Sequence, residues 1–248
     1  MQSTEELQIE RQGAVLRLKL TRPARANALS DTLVDALLAA LDHAEAEKVR
    51  LVVFSGEGKH FCSGFGLGNL DEQRDADLVY KLLRIERLLQ RVAHAPFPTL
   101  ALAHGRVMGA GTDLFCACSE RIAVPGTAFR MPGWRFGIAL GTRRFAARVG
   151  ADVARAVLME SRVFSAEEGL AMGFVSAVIP EAEWPAAIEK SVQRAERLDW
   201  QSSRFLLGYT VEDTRAADMA ALVETSTRPG LKERIIEYQR SEKAARAR

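Results

Sequence analysis

Apolar and polar residues alternate in two short runs near the start of the chain, residues 7–11 and 15–20, on either side of a glutamine–glycine pair. This alternation around a glycine-containing turn predicts a β-hairpin. After Ser30, which is a suitable N-cap, leucine and valine recur on one face with helical spacing. Residues 51–54 then form a continuous apolar run, as expected of a strand covered on both faces. A strand, a helix and a second buried strand together predict a parallel sheet.

The chain continues this alternation of strands and helices up to about residue 180. Residues 57–69 are rich in glycine and lack a helical period, so they predict a loop. The other predicted elements are an amphipathic helix over 78–92, strands over 98–103, 121–124 and 174–179, a buried helical segment over 114–118, and helices over 141–150, over 152–159 and from the Ser165 capping box to Gly173. The pattern predicts an α/β core, followed by a helical subdomain that begins between residues 180 and 200.

Composition agrees with one large globular domain and removes several classes of function. The 248 residues are 48% hydrophobic and 27% charged, with a formal net charge of +2. This balance argues against a dedicated nucleic-acid-binding protein. Residues 1–6 are polar and acidic, unlike a signal peptide, and no apolar run has the length of a membrane span. We therefore expect a cytoplasmic protein that does not bind a membrane.

The three cysteines, Cys62, Cys116 and Cys118, are too few and too irregularly spaced to form a disulfide framework or a zinc site. Free thiols in a reducing compartment are the expected state. No spacing of histidine, aspartate and glutamate indicates any other metal site, so we expect none.

Two turns rich in small residues carry the candidate chemistry. Residues 59–67 follow one buried strand, and Gly109-Ala110-Gly111 follows another. Such turns can bring two backbone N–H groups onto one carbonyl oxygen, where they stabilise an oxyanion that forms during a reaction. Asp113 lies just after the second turn among apolar residues, where burial would raise its pKa and suit it to act as an acid or a base.

Each of these features has a purely structural alternative. The glycine turns could serve tight packing alone, and Asp113 could be a structural acid bonded to a helix N-terminus or to an arginine. Motifs for other functions are missing from the sequence, which has no complete dinucleotide fingerprint, no GxxxxGK[ST] loop and no GxSxG elbow around Ser63. His60 and His104, next to the two turns, are weaker candidates for acid–base groups.

A series of short motifs resembles the enoyl-CoA hydratase/isomerase family, the crotonase superfamily, over about residues 7–178. The matching pieces are Arg22-Pro23 with Asn27-Ala28-Leu29, Phe61-Cys62-Ser63-Gly64, Gly105 with Gly109-Ala110-Gly111, Phe136-Gly137 with Gly141-Thr142-Arg143-Arg144, Ala166-Glu167-Glu168-Gly169-Leu170 through Gly173-Phe174-Val175, and more weakly Gly230-Leu231-Lys232. Each piece is weak alone, but their order and spacing are specific. The resemblance implies a spiral of ββα units over residues 1–195, a helical C-terminal trimerisation region over residues 196–248, and a homotrimer or a dimer of trimers.

The same resemblance implies chemistry on an acyl-CoA, whose thioester carbonyl is polarised in an oxyanion hole. Coenzyme A would be part of the substrate, and no separate cofactor is implied. By position, Ser63 and Ala110 would supply the two N–H donors, and Asp113 matches the first of two glutamates that family hydratases use. The residues that would border the acyl-CoA are Arg25, Ala26, Ser63, Gly64, Phe65, Leu67, Gly109 and Ala110.

The sequence also departs from the family pattern. Gly133 stands where the second glutamate would be, and Gly66 stands where the first loop usually has an aspartate. Three functions therefore stay open. The chain could be a hydratase/isomerase-like enzyme that uses Asp113 as its one acid, an acyl-CoA decarboxylase or hydrolase of the same superfamily, or a protein that binds acyl-CoA without catalysis.

Overall fold

The computed structural model describes residues 2–66 and 70–246. The described strands are β1 (Leu7–Gln12), β2 (Val15–Leu20), β3 (Leu51–Gly56), β4 (Thr99–Ala103), β5 (Arg106–Met108), β6 (Glu120–Ala123), β7 (Ala128–Arg130), β8 (Phe164–Ser165) and β9 (Ala177–Val178). The described helices are α1 (Asp31–Ala46), α2 (Asp75–Ala93), α3 (Ala110–Ala117), α4 (Thr142–Val149), α5 (Ala151–Glu160), α6 (Ala166–Ala171), α7 (Trp184–Glu196), α8 (Trp200–Thr210), α9 (Arg215–Ser226) and α10 (Leu231–Arg246). The result is a mixed α/β protein, as the sequence predicts.

The main sheet has six strands in the order β1-β2-β3-β4-β6-β9. The predicted hairpin is confirmed, because β1 and β2 pair antiparallel from Leu7 opposite Leu20 to Gln12 opposite Val15. From β2 onward every pair in this sheet is parallel. Parallel strands need crossover connections, which α1, α2 and α3 supply between β2, β3, β4 and β6. The first four residues of β3, 51–54, are buried, in agreement with their continuous apolar run.

A second sheet of three short strands, in the order β5-β7-β8, was not predicted from the sequence. It pairs β5 parallel with β7 and β7 antiparallel with β8. Residues 105–109, interpreted as one glycine turn, therefore contain a strand, Arg106–Met108. The following helix begins at Ala110, not at residue 114. The strand predicted over 174–179 is also shorter, because Phe174 turns into the aromatic core and only Ala177–Val178 pair with β6.

Helix α1 packs its apolar face on β1 and β2, and α2 packs on α1 and α3. Ser30 caps α1 as predicted, since its side chain accepts a hydrogen bond from the Leu33 N–H at 3.1 Å. The capping box of α6 is also present, with Ser165 and Glu168 bonded in both directions. No helix in the described part of the chain is both long and apolar enough to cross a membrane.

The C-terminal helices pack on the rest of the chain. Trp184 and Ile188 of α7 lie on the main sheet in an apolar cluster with Leu51 of β3. Leu222, Leu231 and Ile235 of α9 and α10 are buried with leucines of α2 and with Ile138. These apolar positions are therefore covered within the chain itself. The division into 1–195 and 196–248 stays a prediction.

Candidate active site

The two glycine turns meet, as the sequence predicts for a two-loop site. The first loop runs beside β5, where the Met108 N–H donates to the Cys62 carbonyl at 3.0 Å. Gly64 then adopts a positive φ of 83°, and a Cβ added there would lie only 2.7 Å from the Ala110 nitrogen. A side chain at position 64 would thus sit on the N–H group that begins α3.

The backbone of the first loop exposes a different N–H from the predicted one. The Ser63 N–H donates to the Ala26 carbonyl at 2.9 Å, so it is already used. The Gly64 N–H faces the Cys62 sulfur at 3.4 Å. Within residues 2–66 and 70–246, the Phe65 N–H has no acceptor. The donor role predicted for Ser63 is therefore corrected, because in this fold the next available N–H of the loop belongs to Phe65.

The second loop presents the N–H of Ala110. Gly109, with a φ of 50°, donates its own N–H to the Arg130 carbonyl at 2.8 Å and turns the chain into α3. Ala110 is the first residue of this helix, so its N–H has no partner in the preceding turn, and none is present among the described residues. The helix dipole adds a partial positive charge at this point.

Asp113 lies in the first turn of α3 and is 3% exposed. Its Oδ1 is fully buried and has no hydrogen-bond partner in the described part of the chain. Burial raises the pKa of Asp113 well above its ordinary value, the positive charge of Arg144 opposes this shift, and the negative charge of Glu86 adds to it. A buried carboxyl without a neutralising partner is expensive, so this arrangement is typical of a functional acid more than of a structural one.

A buried charge cluster lies behind Asp113. Arg144 of α4 donates through Nη1 to Glu86 Oε1 at 2.9 Å and to Asp218 Oδ2 at 3.1 Å, and it makes a second bond to Glu86 through Nη2. Glu86 is 1% exposed and also accepts from Gln90 at 2.8 Å. Local sequence patterns do not reveal this cluster, because its members lie 58 and 74 residues apart in the chain.

Gly133 begins a short 3-10 turn, Gly133–Phe136, that borders the same site. A Cβ added at Gly133 would lie 2.9 Å from the Ile138 carbonyl oxygen. The position matched to the family's second glutamate therefore has little room for any side chain. Trp134, beside it, is anchored by a hydrogen bond from its Nε1–H to Thr142 at 3.2 Å.

The turns enclose an apolar cavity of about 170 Å³, to which Asp113 contributes the one carboxyl group among the described lining residues. Its lining includes Ser63, Phe65 and Ala110. The remaining lining residues are Leu82, Met108, Gly109, Met131, Pro132, Gly133, Trp134, Phe136, Ile138, Leu140, Leu158 and Tyr238. Tyr238 of α10 was not predicted; its ring packs on Phe136 with 5.2 Å between the centroids.

A larger polar groove of about 820 Å³ adjoins this cavity, and Ser63 and Phe65 line both. Its cationic lining residues are Arg22, Arg25 and Lys81. Arg22 pairs with Glu6 at 3.1 Å and Lys81 with Asp31 at 3.5 Å, whereas the exposed Arg25 makes no ion pair with any described residue. An anionic ligand in the groove would find this free guanidinium.

Some of the remaining predicted residues support the first loop, and others lie outside the cavity and the groove. Ala26 does not line the groove but holds the loop through the Ser63 N–H. Leu67 lies outside the described residues. His60 accepts from the Arg106 N–H at 3.2 Å, and its pKa is lowered by burial first and by the charge of Arg106 second. Neither His60 nor His104 lines the cavity or the groove, so the weaker acid–base assignment has no geometric support. The described residues contain no group of three potential metal ligands.

Comparisons with known proteins agree with this picture. The profile of the family described as enoyl-CoA hydratase/isomerase matches residues 10–228. The probable enoyl-CoA hydratase echA6 of Mycobacterium tuberculosis is 31% identical over 195 residues, which cover 75% of this chain and 78% of that protein. A crystal structure of an enoyl-CoA hydratase/isomerase-type protein from Bordetella parapertussis is 45% identical and superposes with a TM-score of 0.93 over 94% of this chain and 98% of its own.

A more distant structure, the enoyl-CoA hydratase of Bacillus halodurans, has the same fold. It is 20% identical, with a TM-score of 0.82 over 94% of this chain and 99% of its own. These structures confirm the predicted fold, a spiral of ββα units.

Proposed function

Because the chain belongs to the enoyl-CoA hydratase/isomerase family, we propose that it binds an acyl-CoA and stabilises the thioester enolate with the N–H groups of Phe65 and Ala110. One observation carries the proposal. Two residues that line the cavity, Phe65 and Ala110, have backbone N–H groups without an acceptor among the described residues, and the same cavity is lined by Asp113, whose buried Oδ1 has no partner in that part of the chain. Two such donors stabilise a developing oxyanion most strongly where water is excluded.

The proposed reaction begins with the thioester carbonyl oxygen between the two N–H groups and the acyl group in the apolar cavity. Asp113, as carboxylate, removes a proton from the carbon next to the carbonyl, and the electron pair moves onto the oxygen. The carboxylic acid so formed returns the proton to the same carbon or to a more distant one. A double-bond shift contains both proton transfers. Hydration of a 2-enoyl thioester shares only the second one: water adds to the third carbon of the acyl group, its proton passes to a base, the electron pair of the double bond moves onto the carbonyl oxygen, and a proton then returns to the carbon next to the carbonyl.

The properties of the groove suit the binding of an acyl carrier that contains phosphate groups. The groove is polar, adjoins the cavity through Ser63 and Phe65, and presents the guanidinium of Arg25, which makes no ion pair with any described residue. A ligand with a long anionic part and a small apolar end fits this pair of spaces. Coenzyme A esters have that form, and the substrate itself would bring the coenzyme.

The decarboxylase alternative is disfavoured by the lining of the cavity. No cationic side chain is present among its described lining residues, and Asp113 would repel a second carboxylate. A binding protein without catalysis would not need a buried acid that lacks a partner, since an amide or an apolar residue there would cost less free energy. Both alternatives stay as outcomes of the experiment.

The proposal is tested by hydrogen exchange at the acyl carbon next to the thioester. Butyryl-CoA is incubated with the protein in D₂O, and loss of the C2 proton signal is followed by NMR. We expect exchange with the wild type and none with Asp113→Asn, while both proteins bind the ligand. Binding without exchange in the wild type would identify the non-catalytic alternative.

A substrate panel then assigns the reaction. Crotonyl-CoA reports hydration, a 3-enoyl-CoA reports a double-bond shift, and malonyl-CoA or methylmalonyl-CoA reports decarboxylation. Decarboxylation that survives Asp113→Asn would support the decarboxylase instead. The Arg25→Ala variant should weaken binding of free coenzyme A, whereas Arg11→Ala, an exposed arginine outside the groove, should not.

We also propose a homotrimer or a dimer of trimers. Helix α8 exposes three large apolar or aromatic side chains, with Phe205 at 49%, Leu206 at 53% and Tyr209 at 85% exposure. Such a surface is typical of a contact between subunits. Mass determination in solution tests this, and a monomer at micromolar concentration would contradict it.

A further inference from the structure

The size and chemistry of the apolar cavity restrict the acyl group. Its volume of about 170 Å³ is bounded by side chains from α2, α3, α5, α10 and the segment 131–140. An apolar protein cavity of about 150 Å³ accommodates a benzene molecule. The space therefore corresponds to an acyl group of about six carbon atoms.

The walls of the cavity are parts of the hydrophobic core. Leu82, Ile138 and Leu158 are 2%, 1% and 6% exposed, and each belongs to a buried cluster that continues behind it. Such a wall does not recede without repacking of its neighbours, because protein interiors are close-packed. Tyr238 closes the cavity from α10, which is held by the paired bonds of Arg130 to Glu242. A longer acyl chain would have no continuation inside the protein.

The walls also select against polar substituents. Apart from Asp113, Ser63 and Tyr238, the described lining side chains are apolar. Away from those three side chains, a hydroxyl or carboxylate buried among leucine, isoleucine, methionine and phenylalanine would lose its hydration without gaining a partner. The favoured acyl group is therefore a plain hydrocarbon.

We propose that the acyl group of the substrate is an unsubstituted hydrocarbon of about six carbon atoms, and that Leu158 limits its length. This inference rests on the proposed acyl-CoA function. To that function it adds the chemical class of the acyl group and the side chain that limits the length of this group. A linear chain and a six-membered ring share this chemistry, and the experiment separates them.

The test is a series of dissociation constants for free coenzyme A and for its butyryl, hexanoyl, octanoyl, decanoyl, cyclohexanecarbonyl and adipyl thioesters. From butyryl to hexanoyl we expect affinity to rise about fourfold per added methylene, as for full burial of each group. Octanoyl and decanoyl should bind no more tightly than hexanoyl. Adipyl, which ends in a carboxylate, should bind more weakly than hexanoyl. Comparison of hexanoyl with cyclohexanecarbonyl distinguishes a chain from a ring.

Leu158→Ala removes about three carbon atoms from the wall and should move the best linear ligand from hexanoyl to octanoyl. Leu41→Ala, a fully buried leucine of α1 that does not line the cavity, is the matched control and should keep hexanoyl as the best ligand. If decanoyl-CoA binds the wild type more tightly than hexanoyl-CoA, the inference is overturned, even if both variants fail to fold. If free coenzyme A does not bind at all, the proposed function fails instead.

Discussion

Asp113 lies directly against Gly141, so that a Cβ on Gly141 would overlap the Asp113 Oδ1 and sit 2.7 Å from its Cγ. Gly141 precedes α4 and has a left-handed φ of 65°. Because Gly141 has no side chain, the buried carboxyl of Asp113 can occupy the space beside it. Gly141 and Asp113 form one functional unit, although they are far apart in the chain.

Gly141→Ala should displace the acid and reduce the exchange reaction by about a hundredfold, as expected when a reacting group moves by about 1 Å. The same change should cost about 1–2 kcal/mol of stability, because a residue with a Cβ is strained in the left-handed region. The measurements are the C2 exchange rate and the free energy of unfolding in urea.

Gly126→Ala is the control for that strain. Gly126 has a φ of 76° and no other atom within 4 Å of an added Cβ, and it lies in an exposed turn. This variant should lose only the stability that the left-handed strain costs, and it should keep its activity. Equal losses of activity in both variants would contradict the role given to Gly141.

Asp113→Asn should remove activity and make the fold more stable at neutral pH. The pKa of Asp113 is raised in the folded state above its ordinary value of 3.8, because burial favours the protonated form. Above pH 3.8 the unfolded chain releases this proton while the folded chain keeps it, so the wild type loses stability as pH rises, by at most about 1.4 kcal/mol per pH unit. Asparagine does not ionise and avoids this loss.

The measurement is the unfolding free energy of wild type and Asp113→Asn from pH 4 to pH 8. The variant's advantage should be small near pH 4, grow as pH rises, and level off above the folded pKa. An advantage that shrinks toward high pH would show that Asp113 is held as a stabilised carboxylate.

The sequence predicted the elements whose signals are local. The hairpin, the Ser30 cap and the helix over 78–92 depend on neighbouring residues, and the structure contains all three. Strand β5 has only three residues, with one exposed, one buried and one half-buried. So short a strand has no period to detect, and its pairing with β7 depends on residues about 20 positions away.

The candidate site was found from the sequence only in part, for a similar reason. The small residues of the two turns and the isolated Asp113 mark the place. The choice between Ser63 and Phe65 as donor depends on the Ala26 carbonyl, which takes the Ser63 N–H from 37 residues earlier in the chain. Neither turn contains that information.

Gly64→Ala should reduce the exchange rate more than it reduces binding. Its Cβ would lie 2.7 Å from the Ala110 nitrogen and block the N–H that the carbonyl oxygen needs. Loss of one such donor typically slows a reaction by about 10²–10³-fold. Gly13→Ala, with a φ of 57° and no atom within 4 Å of its Cβ, is the matched control in an exposed turn. If Gly64→Ala weakens binding of free coenzyme A and slows exchange equally, the loop acts in binding and not as an oxyanion donor.

Glu86→Gln should shift the pH dependence of exchange toward lower pH. The negative charge of Glu86 raises the pKa of Asp113, so its removal lowers that pKa and makes the carboxylate available in more acidic solution. Asp218→Asn is the matched control, because Asp218 also pairs with Arg144, whereas the negative charge that raises the Asp113 pKa is that of Glu86. Both variants remove one carboxylate from the same cluster and should lose stability, yet only Glu86→Gln should move the acidic limb of the rate profile. A shift of equal size in both variants would mean that the position of Arg144, and not the charge of Glu86, controls the acid.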